Sequence, residues 1–222
     1  YKPWDKYEFD ITEIIIEDGV TTVGEGSFYN VSSNVKNIEI SDTVTSIGAY
    51  AFANLRSSFQ NKHVNIPKSV VQIGERAFAG TFGGGVETFT VDPESENYTA
   101  VDGVLYSKDI SKIVAYPTGK SSLSYTMPDT ITGDVDLILF WGSNLQNLVV
   151  SQNATIICTQ SIENPYPVFC EDALFHIYFK GNVPSDTANW QIDFPYFGRK
   201  IVCQKYEKPL QELSLHSIDW WI

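Results

Sequence analysis

Between residues 14 and 78 the apolar positions fall into one phrase written three times: IIIEDGVTTVGEGSF from 14 to 28, IEISDTVTSIGAYAF from 38 to 52 and VNIPKSVVQIGERAF from 64 to 78. The copies align without gaps, Ile16 with Ile40 and Ile66, Val20 with Val44 and Val70, Val23 with Ile47 and Ile73, Gly24 with Gly48 and Gly74, and Phe28 with Phe52 and Phe78. The spacing is 24 residues from Ile16 to Ile40 and 26 from Ile40 to Ile66. A period of that size predicts stacked coils of a solenoid, each burying its apolar positions against its neighbours.

Each part of the phrase has its own local meaning. The Ile-x-Ile pair puts two side chains on one face of a strand, pointing inward. Turn residues follow: Asp18-Gly19, Asp42-Thr43, Pro67-Lys68-Ser69 and, further on, Pro128-Asp129-Thr130. Val-x-x-Ile runs along a second side, and the Gly behind it marks a place needing φ > 0 or very close neighbours. The closing x-x-Ala-Phe predicts a short helical turn that drops its Phe inward, so Phe28, Phe52 and Phe78 should stack, each contributing about 1.5–3 kcal/mol of burial.

Beyond residue 80 the phrase loosens. Phe89 and Val91 restart the strand, and an excursion about 92–122 contains two strand-like runs, Gly103 to Tyr106 and Lys112 to Tyr116, joined by a polar turn: a β-hairpin insertion. Tyr125 with Met127, Leu148 with Val150, Ile177 with Phe179 and Ile201 with Cys203 supply further strands, giving about eight coils. After Leu148 and Val150, Ala154, Ile157, Cys158 and Ile162 take the places of Val, Ile, Gly and Phe. Thr132 to Asn144 departs from the phrase, and about 204–222 reads as an irregular C-terminal cap, so that 1–222 forms a single solenoid domain.

These copies resemble the BspA-type leucine-rich repeat proteins of bacterial surfaces, whose coils read approximately strand, Pro, x-x-Val-x-x-Ile-Gly-x-x-Ala-Phe. Pro3-Trp4 followed by Ile14 to Val20 resembles the start of that family's first full coil. Val101 to Ser107 through Tyr116-Pro117 resembles its recurrent hairpin, and Ile177 to Pro184 its penultimate coil. The resemblance covers roughly residues 3–206. It implies an α/β chain folded as a right-handed leucine-rich-repeat solenoid, β-rich, with a parallel β-sheet and short helical turns. It also implies export to the cell surface or beyond and binding to proteins such as host extracellular matrix components, not catalysis.

Charge narrows the partners. With 15 Lys and Arg against 27 Asp and Glu, the net charge of −12 repels nucleic-acid phosphates and anionic membrane surfaces. No apolar run approaches the roughly 20 residues of a membrane span. Because the sequence opens at Tyr1, an upstream signal, anchor or further coils belong among the expectations. Cys158, Cys170 and Cys203 have no CxxC spacing and read as buried free thiols, a Cys158–Cys170 bridge being the alternative in an exported protein.

The chemistry of the variable letters points to recognition. Outward positions of the Ile-x-Ile strands, Ile15, Glu39, Asn65, Thr90, Thr126, Val149 and Tyr178, should line up on one exposed parallel sheet, with Tyr178 beside Val149 as the favoured contact surface. Asp18, Asp42 and Asp129 recur at turns, where capping explains them without a catalytic pair. Asp92, Glu94, Glu96 and Asn97 lack the spacing of a calcium loop. His63, His176 and His216 have no partner at metal-ligand spacing, and Gly83-Gly84-Gly85 opens no phosphate loop. Trp190, Tyr196, Trp220 and Trp221 read as a hydrophobic cap on the stack. The expectation is therefore a non-enzymatic binding or adhesion module without cofactor or metal, a monomer or weak oligomer. A passive spacer of a larger surface protein and a carbohydrate-active solenoid enzyme are the alternatives.

Overall fold

The computed structural model describes residues 2–7, 10–31, 35–55, 63–79, 85–140, 142–157, 175–181 and 201–205. In chain order the strands are β1 (Glu13–Ile16), β2 (Thr22–Val23), β3 (Asn37–Ile40), β4 (Ser46–Ile47), β5 (His63–Ile66), β6 (Gln72–Ile73), β7 (Thr88–Val91), β8 (Tyr98–Val101), β9 (Val104–Ser107), β10 (Ile113–Ala115), β11 (Ser124–Thr126), β12 (Gly133–Asp136), β13 (Asn147–Val150), β14 (Ala154–Ile157), β15 (Phe175–Phe179) and β16 (Ile201–Lys205). They form a β-solenoid. On its first side β1 pairs with β3, β5 with β7, and β11, β13, β15 and β16 run in that order, all parallel. On its second side β2, β4 and β6 stack in parallel, as do β12 and β14.

The glycines of the phrase set how closely coils approach. Their φ is not left-handed; what they provide is room. A Cβ on Gly74 would fall 2.3 Å from the Ala49 amide nitrogen and 2.6 Å from the Gly48 carbonyl carbon, and one on Gly48 would fall 2.5 Å from Glu25 N. Gly24 is the first of the series, and a Cβ there meets only the Ser27 hydroxyl at 3.2 Å.

The expected helical turn at x-x-Ala-Phe is absent, and among the described residues helix is confined to two 3-10 turns, Asp5–Tyr7 and Leu137–Phe140. An α-helix would spend its amides along its own axis. Here alternate amides reach the next coil instead: Gly26, Phe28 and Asn30 donate to the carbonyls of Ala49, Ala51 and Ala53, and Tyr50, Phe52 and Asn54 to those of Glu75, Ala77 and Ala79. The amides in between close local turns, Ser27 to Gly24 O, Ala51 to Gly48 O and Ala77 to Gly74 O, each at 3.3 Å. Gly26, Tyr50 and Arg76 adopt left-handed φ of 56°, 55° and 55° to achieve this alternation. Asn30 and Asn54, also left-handed, bond to one another, Asn54 Nδ2 donating to Asn30 Oδ1 at 2.9 Å.

The phenylalanine stack forms as expected. Phe28 and Phe52 lie 5.4 Å apart at 11°, Phe52 and Phe78 5.3 Å apart at 9°, and Phe89 ends the series edge-on at 67°. Trp4 adds one more ring beneath Phe28, at 5.1 Å and 14°. Its indole Nε1 donates to Ser27 O at 3.0 Å, and Lys2 Nζ donates to Tyr29 O at 2.9 Å. Ser27 and Tyr29 correspond to Ala51 and Ala53 of the next coil, so here two side chains donate to carbonyls that accept backbone amides at the following interface. Val20 shows the same end effect, being 40% exposed where Val44 and Val70 are 0%.

The insertion is larger than the expected hairpin. β8, β9 and β10 form an antiparallel meander, and the turn from β8 to β9 is Asp102-Gly103, both with positive φ. It divides the interior: Tyr98, Leu105 and Ala115 pack with the first four coils, while Val104, Tyr106, Ile113 and Tyr116 pack with Met127, Ile131, Phe140 and Leu148 beyond it. Strand alternation puts neighbours on opposite sides. Arg76 Nη2 and Asp136 Oδ2, 2.5 Å apart, join the two regions with little of either side chain exposed. In the divergent stretch 132–144, β12 leads into the 3-10 turn that buries Leu137 and Phe140. In β14 the buried residue is Ile156 rather than Ile157, and Cys158, Ile162 and Cys170 lie outside the described residues.

Two predictions follow from this packing. Gly74→Ala should lower stability by about 1–3 kcal/mol through backbone overpacking, while Gly24→Ala stays within about 0.5 kcal/mol of wild type, as measured by urea unfolding. Equal midpoints for the two variants would remove close approach as the constraint. Burial holds the phenols of Tyr106, Tyr116 and Tyr125 protonated above the ordinary tyrosine range, those of Tyr116 and Tyr125 by a wide margin. Raised folded values mean that the unfolded chain ionises first, so their contribution is fully present below pH ~10 and declines as pH rises above it. Denaturation midpoints taken across that pH test the slope.

Candidate functional site

The turns after the first-side strands are built by the acids and hydroxyls the sequence places there. Ser41 Oγ donates to Asp18 Oδ1 at 2.5 Å, Gly19 N donates to Thr43 Oγ1 at 3.0 Å, and Thr43 Oγ1 donates to Val20 O at 3.0 Å. Lys68 pairs with Glu94, Asp92 Oδ1 accepts the Glu94 amide at 2.8 Å, and Lys180 donates to Asp129 at 2.7 Å. These carboxylates are engaged in turns and ion pairs. No group of three His, Cys, Asp or Glu among the described residues could hold a metal ion. His63 opens β5 on the exposed side, and His216 lies outside the described residues, as do Trp190, Tyr196, Trp220 and Trp221.

The outward column separates into two stretches. Ile15 pairs with Glu39 and Asn65 with Thr90, all four exposed on β1, β3, β5 and β7. Asn37 Nδ2 donates to Glu39 Oε1 at 2.6 Å, and Thr90 Oγ1 donates to Asn65 Oδ1 at 3.0 Å, so neighbouring side chains steady each other. Ile15, 52% exposed, is the apolar member of this polar row. On the second stretch Thr126 pairs with Val149 and Val149 with Tyr178, as the strand alternation requires.

Exposure fails on that second stretch. Thr126 is exposed, but Val149 is 0% and Tyr178 9% exposed, so these two are packing residues rather than contact surface. Covering such apolar area is favourable. The Tyr178 ring also stacks on His176 at 6.0 Å and 16°, and burial lowers the His176 imidazole below its ordinary value.

The sequence reading missed the cleft beside the first stretch. Where β7 meets β8, a space of about 360 Å³ is lined by Thr88, Thr90, Asp92, Tyr98, Thr99 and Lys108. Tyr98 seals its inner wall by accepting the Ile73 amide at 2.8 Å. The missing signal was Asp102-Gly103 between Val101 and Val104, an Asp-Gly flanked by apolar residues that marks a tight hairpin and hence the additional strand β8.

Coils stepped by 24 and 26 residues, with parallel strands on two sides and an inward Phe in each of the first three, define a leucine-rich-repeat solenoid. Residues 6–90 match the family model for the BspA type leucine rich repeat region in six copies, and that stretch is a BspA-type repeat region. Among solved structures the chain is similar to the pneumococcal vaccine antigen PcpA, at 26% identity and a TM-score of 0.57 over 66% of this chain and 36% of that one. It is similar in fold to a leucine rich cell surface protein from Faecalibacterium prausnitzii A2-165, at 24% identity and a TM-score of 0.55 over 67% of this chain and 38% of that one. The chain thus spans little more than a third of either structure. No curated protein matches it. Among the described residues no helix is long and apolar enough to cross a membrane.

The burial of Tyr178 makes a direct prediction. Tyr178→Ala should cost about 3 kcal/mol of stability, whereas Glu39→Ala should change it by less than about 0.5 kcal/mol, both read from urea midpoints. A neutral Tyr178→Ala would return that side chain to the exposed surface.

Proposed function

We propose that this chain is an exported or cell-surface binding module of a bacterium, without catalytic activity, that holds a protein ligand against the exposed side of β1, β3, β5 and β7. The observation that carries the reading is the two in-register exposed pairs, Ile15 with Glu39 and Asn65 with Thr90, where an exposed isoleucine lies beside ordered polar side chains. Extended solenoid faces of this kind are suited to recognition, and a mixed apolar and polar row offers both buried area and directional bonds. The likeness to a vaccine antigen and to a cell surface protein supports the address, and a matrix protein is the ligand class we favour. We read residues 1–222 as one solenoid domain, a monomer or weak oligomer needing no cofactor. Thr126 remains an outlying member of the row, while Val149 and Tyr178 leave it.

The test is surface binding of the purified chain to immobilised matrix proteins, wild type against Glu39→Arg and Asn65→Arg. A long charged side chain in the centre of the row should weaken capture about tenfold or more with the melting temperature unchanged. Equal capture by both variants would overturn this face, and no capture by any form would leave the passive spacer as the better description.

A further inference from the structure

The meander brings a second set of polar side chains against the outward face of β7. Strand alternation sends Phe89 inward and leaves Thr88 and Thr90 on that face. The Asp92 amide donates to Ile66 O at 3.0 Å, so the parallel ladder runs on to Asp92, which follows Thr90 on the same side. From β8 and the turn after β9, Thr99, Ala100 and Lys108 close the other side of the cleft of about 360 Å³. Gly103 leaves room at the Thr88 hydroxyl, since a Cβ there would fall 2.5 Å from Thr88 Oγ1. The polar groups are held in place with bonding capacity to spare. Lys108 Nζ spends one of its three N–H donors on Ser95 O. Asp92 Oδ1 accepts the Glu94 amide at 2.8 Å, which orients a carboxylate able to accept several bonds more. Thr90 Oγ1 gives its proton to Asn65 Oδ1 at 3.0 Å and thereby presents acceptor lone pairs.

We infer that this cleft binds one neutral pyranose unit of a glycan. Its volume lies near the lower end of the range for small-molecule sites, which suits a single sugar ring. The charged groups of its lining are one carboxylate and one ammonium, so the cleft is balanced within a chain of net charge −12. The next acid along, Glu94, is paired with Lys68. An anionic ligand meets Asp92, a cationic one meets Lys108, and each is opposed by the group that matches its own sign. A neutral polyhydroxylated ring uses both. Its hydroxyls donate to Asp92 and Thr90 and accept from Lys108, bonds strengthened by the charge on the protein partner. Thr88 and Thr99 serve as donor or acceptor, and Ala100 with Tyr98 gives apolar contact to the C–H face of the ring. The site goes beyond the protein-binding row, sharing Thr90 with it, and holds independently of whether that row binds protein.

The experiment uses free sugars, so its failure is separate from failure of the matrix-binding test. The methyl glycosides of glucose, galactose, mannose and N-acetylglucosamine are each titrated into the isotope-labelled chain and followed by amide chemical shifts. Glucuronate, glucosamine and glycine serve as anionic, cationic and zwitterionic comparisons. The expected result is saturable binding of at least one neutral glycoside with a Kd of about 1–10 mM and the largest shifts at Thr88, Thr90, Thr99 and Gly103, the three charged compounds binding at least about threefold more weakly. Asp92→Asn keeps the acceptor for the Glu94 amide and should weaken the neutral glycoside about fivefold while making glucuronate preferred over glucosamine. Lys108→Met should weaken it similarly and make glucosamine preferred over glucuronate. No saturable binding of any of the four glycosides, shifts centred elsewhere, glycine binding as tightly as the best glycoside, or unchanged affinity and charge preference in both variants would each overturn the proposal.

Discussion

The regularity of the first three coils follows from how closely one coil's backbone lies on the next at Gly48 and Gly74. A single methyl group on Gly74 has no space, because the amide of Ala49 already occupies it. With the coils held at that separation, parallel strands fall within hydrogen-bonding distance on both sides, and alternate amides of the segments leading into and past each Phe meet the carbonyls of the next coil. The ring separations of 5.3–5.4 Å follow too, since a stack of aromatic rings needs a spacing only slightly larger than that of paired strands. The phenylalanines fill the space that the glycines define.

The meander interrupts this register and turns the interruption to use. A β-sheet has two faces, and β8 to β10 bury one against each core, which explains why Val104, Leu105 and Tyr106 are all buried in consecutive positions. The ion pair of Arg76 with Asp136 spans the same junction, linking a turn of the third coil to β12. A pair of this kind is costly to break from one side only, because the remaining charge stays desolvated. The meander is thus a partition built into the stack, and its projecting edge forms the cleft beside β7.

What could be read in the sequence was whatever repeats. Ile14, Ile38 and Val64 are buried, with Ile15, Glu39 and Asn65 exposed beside them, because strand alternation is a local rule that every copy obeys. The Ala-Phe segment misled because turns closing at i to i−3 share their spacing with a helix, and only the bonds to the next coil distinguish them. Val20, Val149 and Tyr178 misled for another reason. Each obeys the repeat in register, yet whether an outward or terminal side chain is covered depends on what lies beside it in space. The strand β8 was legible in the Asp-Gly turn.

A stack of coils has two ends, and each end repeats the surface that every interior interface buries. The first coil deals with its three sides differently. Where carbonyls point outward, Lys2 and Trp4 place side-chain donors at the positions of missing amides, and the indole takes the next place in the ring stack, so that side is satisfied without a further coil. Where Val20 would have been covered, it stays exposed. Along β1 the exposed row is Glu13, Ile15 and Glu17, where the second coil has Asn37, Glu39 and Ser41. Capping by imitation comes from residues outside the phrase; the positions that the copies share hold the coils together, and the letters that vary between copies set what each coil presents.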